Sequence, residues 1–225
     1  MKNYVSVFLI VLFSVCSISA QEIITADRYL RSVGENYAGI ADYEAKIAIL
    51  SGTTNMHGTI SFRSPSLLRI DFIDPADQVI AFNGDVLTVY LPGSSATLSQ
   101  TVSGSSAGGA NLATPQGLIL LTRNYNAAYV TGPDPEPIDA GSDEMVIKLR
   151  LTRRSVNEGF REIILSVNPE TKLLRRIEGQ TASNSTVKMD FTEIMINQGI
   201  PEQRFVYDSP SSANMYYNFL FNKSE

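Results

Sequence analysis

Few side chains in this sequence are able to do covalent chemistry, and their spacing excludes most of it. The 225 residues hold one histidine, His57, and one cysteine, Cys16. That removes zinc fingers, thiolate clusters and multi-histidine metal centres, so no metal or other cofactor is expected. His57 sits in Asn55-Met56-His57-Gly58, a turn-like context that suits a solvated imidazole rather than a general base. No G-x-S-x-G elbow is present, and Gly104, Gly108 and Gly109 lie in a Ser-rich stretch with no Lys-Ser/Thr after them. Asp71, Asp74 and Asp77 are interrupted by Pro75 and lack a closing glutamate, so they read as turn carboxylates rather than a cation site. Asn184-Ser185-Thr186 and Asn222-Lys223-Ser224 match a glycosylation pattern that is common by chance. The formal charge of −5 provides no basic footprint for nucleic acid. No catalytic constellation is expected; what remains is binding through apolar surface.

The apolar residues are arranged for that. From Asp42 the sequence alternates with period two through Tyr43, Ala45, Ile47 and Ile49, then Ile60 and Phe62, then Leu68, Ile70 and Phe72. Asp74-Pro75-Ala76-Asp77 turns, 79–82 is apolar, Asn83-Gly84-Asp85 marks a hairpin, and 86–91 is a strand. Alternation resumes at 145–151 and 161–167, with further strands at 173–178, 187–196 and 205–207 and an aromatic tail at 215–221. Strand after strand at short spacing predicts an antiparallel meander. Two helices are predicted against it. One starts at an N-cap, Thr25, and runs to about Ile40 with Tyr29, Leu30, Val33 and Tyr37 on one stripe. The other spans 115–124 and is too apolar at Leu118–Leu121 to face water. Residues 93–110 and the proline-rich 131–137 read as loops. Strand period places Ile60, Phe62, Leu68, Ile70, Phe72, Ile80, Phe82, Ile163 and Leu165 on one face, with Leu118 and Leu121 covering it. Periodicity alone leaves open whether that face encloses a ligand cavity or merely fills a core.

The first twenty residues read differently from the rest. Lys2, an apolar run from Val5 to Val15, and Ile18-Ser19-Ala20 before Gln21 form a secretory signal peptide cut after Ala20. Residues 21–225 then form a single domain without cysteine, held together by burial alone. Lipidation at Cys16 is the alternative, although Val15 replaces the small residue that such a site usually places before its cysteine.

Three segments in order resemble the LolA family of periplasmic outer-membrane lipoprotein carriers. The first is Gly58 to Phe72, with its alternating strand, Ser64-Pro65 break and Arg69. The second is Asp74-Pro75 through Asn83-Gly84 to Tyr90 and Pro92, and the third is Thr114-Pro115 with Leu118 to Arg123. The ending Phe205-Val206-Tyr207-Asp208-Ser209-Pro210 is also similar. The resemblance implies a mainly β fold: a single curved antiparallel sheet forming an unclosed half barrel, covered by the N-terminal helix and the short central helix. It implies a monomeric periplasmic carrier that takes acylated lipoproteins from an inner-membrane exporter to an outer-membrane acceptor. It also implies an arginine latch that bonds the lid in the closed state. In the family that arginine directly precedes the proline; here Ser64 does, and Arg63 lies one residue earlier. Strand period points Arg63 and Arg69 away from the apolar face unless Ser64-Pro65-Ser66 resets it. Arg63 is the nearer surrogate for the latch, and Arg69, matching the second family arginine, is expected to pair with a carboxylate on the outer face. The alternatives are a lipid-anchored acceptor of the same fold, which needs Cys16 modified, and a structural or sensory periplasmic domain with a filled core.

Overall fold

A computed structural model describes residues 24–101 and 113–218. The expected leader with Cys16, part of the predicted 93–110 loop and the end of the aromatic tail with Asn222 lie outside the described residues. Helix α1, Ala26–Ala38, begins at Thr25, whose hydroxyl accepts the Arg28 N–H. Helix α2, Pro115–Asn124, begins at Thr114, whose hydroxyl accepts the Gly117 N–H at 3.1 Å. Both starts follow from the same local rule: a threonine satisfies an N–H that the first turn cannot.

The strands are β1 Asp42–Ser51, β2 Thr54–Arg63, β3 Leu67–Asp74, β4 Val79–Phe82, β5 Val86–Leu91 and β6 Ala96–Thr101. After α2 come β7 Tyr125–Tyr129, β8 Glu136–Pro137, β9 Met145–Arg153, β10 Phe160–Val167, β11 Leu174–Thr181, β12 Thr186–Ile196 and β13 Asn214–Tyr217. They form one sheet in the order β13-β6-β5-β4-β3-β2-β1-β12-β11-β10-β9-β7, with β8 added to β9. Neighbours are antiparallel, except that β13 runs parallel to β6. β13 and β7 do not pair with each other, so the barrel is unclosed. β12 pairs with β1 and so joins the two meanders in the middle of the sheet.

Three expectations change. The stretch 96–101 is strand β6, not loop. Its Ser, Thr and Ala carry no apolar alternation, and pairing along β5 supplies the order instead. Residues 125–129 form β7 on the edge beside β9. The region 205–207 is not a strand. A 3-10 turn spans Glu202–Phe205, Pro201 precedes it, and Phe205 is buried.

Gly58 shows how tightly the sheet is pinned. A Cβ there would lie 2.1 Å from the Asp71 carbonyl oxygen, so β2 and β3 approach this closely only with glycine. The step next to it, His57 to Gly58, shifts register, which bends the sheet and seats Phe72 opposite Gly58 on the concave face.

Candidate functional site

Register carries the predicted apolar face across the sheet. Phe62 lies opposite Leu68, and Leu68 opposite Phe82. Ile60 lies opposite Ile70, and Ile70 opposite Ile80. In the second meander Ile163 faces Leu151 and Leu165 faces Leu149. Ile60, Phe62, Leu68, Ile70, Phe72, Phe82, Ile163 and Leu165 are buried in one cluster, and Ile80 packs against it half-buried. The buried charged side chains Asp42 and Arg176 pair in register with Arg63 and Asp190, so they stand on the opposite, convex face. The concave wall therefore offers methyl and ring surface without a fixed charge.

The two helices close over this wall. α1 buries Tyr29, Leu30, Val33 and Tyr37. α2 buries Leu118 and Leu121 and leaves Ile119 57% exposed on its back. A Cβ on Gly34 would lie 3.9 Å from Leu118 Cβ, so the helices meet closely there. Among the described residues a cavity of ≈ 10 Å³ lies on the wall beside the start of α2, lined by Ile47, Ile60, Ile70, Ala113, Ile177, Met189 and Phe191. That is room for about one water molecule. The two helices pack over the interior that the open sheet leaves, with Leu30, Val33, Leu118 and Leu121 in the same apolar cluster as the wall.

Hydrogen bonds tie both helices to the sheet. α1 is held in its last turn: the Tyr37 hydroxyl accepts the Leu174 N–H at 3.0 Å, and Asn36 donates to the Thr171 carbonyl. Just before α1, the Ile24 carbonyl accepts from the Tyr129 hydroxyl at 2.8 Å. α2 is met from the sheet at its start, where the Tyr43 hydroxyl donates to the Ala113 carbonyl at 3.1 Å, and at its end, where the Asn124 carbonyl accepts the Arg154 N–H at 2.9 Å. Tyr43 stacks on Phe62 with centroids 5.3 Å apart, and Tyr37 stands edge-on to it at 6.3 Å. Burial pushes the Tyr37 and Tyr43 phenols up, Tyr43 well above the usual range. Desolvation likewise pushes Tyr29 up to about 12.

Arg63 and Arg69 do not reach the helices; they hold the chain's C-terminal strap, residues 200–207, on the convex face. Arg63 donates to the Ile200 carbonyl, and its other terminal nitrogen lies 3.7 Å from Glu202. Arg69 pairs with Asp71 at 2.8 Å, donates to the Arg204 and Val206 carbonyls, and lies 5.4 Å over the Tyr207 ring. Arg204 returns a 2.6 Å bond to Asp71. The latch to the lid expected at Arg63 is thus corrected. The strand period is not reset by Ser64-Pro65-Ser66, and both arginines stay on the outer face. Valine and alanine from β4, Val79 and Ala81, are buried on that same face, which explains why β4 lacks polar alternates.

Sequence reading missed Tyr43 as a lid contact, because its period marks it only as a wall residue. It also missed a second outer clamp. Arg176 bonds Asp190 at 2.5 Å and Asp139 at 2.7 and 2.9 Å, while Arg175 holds Glu144. The Arg176 hydrogen bond holds the Asp139 carboxyl below the usual range. These pairs seat the 136–144 segment, with its buried Ile138, beside buried Val146. His57 is half exposed, 3.7 Å from Asp74. Among the described residues no group of His, Cys, Asp and Glu is arranged to hold a metal, and no helix is long and apolar enough to cross a membrane.

The family model described as outer membrane lipoprotein carrier protein LolA matches residues 50–208. No curated protein sequence matches the chain. Among solved structures, an uncharacterized conserved protein from Thermus thermophilus is similar with a TM-score of 0.56 at 12% identity, over 85% of this chain and 98% of that one. MucB in the MucA/MucB complex of Pseudomonas aeruginosa is similar with a TM-score of 0.51 at 13% identity, over 84% of this chain and 62% of that one. A LolA superfamily protein from Nitrosomonas europaea aligns at 16% identity with a TM-score of 0.43, over 82% of this chain and 98% of that one. The first two likenesses show a shared fold.

Proposed function

Because the chain belongs to the LolA family, we propose that it is a periplasmic carrier of acylated lipoproteins. Its leader, residues 1–20, directs export and is removed. The mature chain takes cargo from an inner-membrane exporter and passes it to an outer-membrane acceptor. The acyl chains lie between the concave wall and α2, against Ile60, Phe62, Leu68, Ile70, Phe72, Ile80, Phe82, Ile163 and Leu165, with Leu118 and Leu121 above them. The observation that carries this reading is an uncharged concave wall covered by α2, whose buried Leu118 and Leu121 join the same apolar cluster as the wall. The Tyr43 hydroxyl bonds the start of α2 to that wall. A neutral hydrogen bond contributes about 0.5–1.5 kcal/mol, while each methylene removed from water contributes about 0.8 kcal/mol. A few methylenes of an acyl chain are therefore enough to offset the opening of that bond. No bond of the cargo is made or broken. Aliphatic and aromatic walls without directional partners release cargo as readily as they accept it.

Purification of the mature chain from the native periplasm, followed by protein and lipid identification of what co-purifies, tests this. The expected result is acylated lipoproteins in molar proportion. Mass spectrometry of the mature N-terminus tests the leader: cleavage after Ala20 is expected, and an acylated Cys16 would convert the reading to a membrane-anchored acceptor. The small residual cavity favours a second reading, a filled-core sensory or structural domain. In that case the co-purifying species would be a polypeptide without acyl chains, or nothing.

A further inference from the structure

The lid and the outer strap meet at two consecutive residues of one strand. Asp42 and Tyr43 begin β1, and alternation sends Asp42 to the convex face and Tyr43 to the concave one. The Asp42 carboxylate is 3% exposed, and both its oxygens are used. One accepts the Gln198 N–H at 2.7 Å and the other the Gly199 N–H at 3.0 Å. The Asp42 carbonyl accepts the Asn197 N–H at 2.8 Å, and the Asn197 side chain accepts the Ala41 N–H at 2.9 Å. Four hydrogen bonds thus fix residues 41 and 42 to the turn from which the strap departs. Asn197, at φ 57°, and Gly199, at φ 76°, are left-handed there, a conformation that asparagine and glycine adopt most readily. The adjacent residue, Tyr43, bonds the Ala113 carbonyl at the start of α2.

We propose that the seated strap keeps the lid closed, with the Asp42–Tyr43 pair as the positioning element that transmits its state through the sheet. This rests on the reading of α2 as the moving lid and adds its control. Displacing the 197–199 turn takes both backbone N–H partners from this buried carboxylate, and Arg63, its cross-strand neighbour on the convex face, can replace them only by leaving the Ile200 carbonyl. The start of β1 must then shift to rehydrate it, and Tyr43 shifts with it. A protein that engaged residues 200–207 from outside would thereby loosen α2 from within, without entering the cavity.

Hydrogen exchange of the mature chain, followed in peptides covering 115–124 and 197–207, tests the coupling. Arg69→Gln and, separately, Arg63→Gln weaken the strap at sites that touch neither helix. Each is expected to raise exchange across 200–207 and also in the first turn of α2, by about fivefold for the loss of one hydrogen bond. In a Tyr43→Phe background α2 exchange starts higher, and the strap variants should add nothing further to it. Strap exchange that rises while α2 stays at the wild-type rate overturns the proposal, as does an undiminished strap effect in Tyr43→Phe. Binding of an apolar fluorophore to the same samples separates the two ideas. Coupling without fluorophore binding refutes the carrier reading and leaves the linkage standing, whereas binding without coupling does the reverse.

Discussion

Removing one oxygen atom, as in Tyr43→Phe, should open this protein more than it damages it. The substituted ring keeps its stack on Phe62 at 5.3 Å and its edge contact with Tyr37. What goes is the 3.1 Å bond to the Ala113 carbonyl. A neutral bond of this kind contributes about 0.5–1.5 kcal/mol net, and a buried acceptor left without a partner costs about 1–3 kcal/mol. Ala113 is 4% exposed in the closed state but is free to take water once α2 lifts. The penalty therefore falls on the closed form, and about 1–2 kcal/mol shifts the closed-to-open ratio roughly 5–30-fold. When only the open form accepts ligand, apparent affinity scales with its population. An equilibrium titration with an apolar fluorophore should show Kd falling by that factor, with a small drop in Tm. A lower Tm with unchanged Kd would mean that the hydroxyl supports the fold but does not hold the lid. No change in either would refute the energetic argument altogether.

Leu121→Glu places a carboxylate where a 2% exposed side chain packs on the wall; it should cost about 3 kcal/mol or more in thermal unfolding and raise fluorophore access. Gly58→Ala should cost more than about 4 kcal/mol, because its Cβ meets backbone that cannot retreat; a stable folded variant by circular dichroism would show the β2–β3 approach to be wrong. Burial raises the Tyr37 and Tyr43 phenols above their unfolded value of about 10. Their contribution to stability is therefore complete below about pH 10 and is lost as pH rises through the folded values. Denaturant midpoints across alkaline pH should fall, and fall less steeply in Tyr43→Phe.

The helices were legible because their starts are local: Thr25 and Thr114 each cap from within three residues. The concave face was legible for the same reason, since period two marks it one strand at a time. β6 was not, because Ala96, Thr97 and Ser99 look like linker and gain their order from β5 and β13. β7 carries a readable alternation, Tyr125, Ala127 and Tyr129, but is short and lies between a helix and a proline-rich stretch. The strap was out of reach. Arg69 finds Arg204 across 135 positions, and no local pattern records such a pairing. Strand period did place Arg63 and Arg69 on the outer face; family resemblance pulled the expected latch the other way. The lid contact came instead from Tyr43, a wall residue whose hydroxyl has no signature of its own.

Photocrosslinking from inside the wall tests the central claim most directly. A benzophenone amino acid at Ile70 looks into the covered interior, while one at Thr59, opposite Asp71, looks out from the convex face. In cells the Ile70 probe should capture lipoproteins, and capture should vanish when their acyl chains are missing; the Thr59 probe should capture none. Equal capture from both positions, or capture from Ile70 that survives loss of acylation, would contradict binding of acyl chains on the concave face.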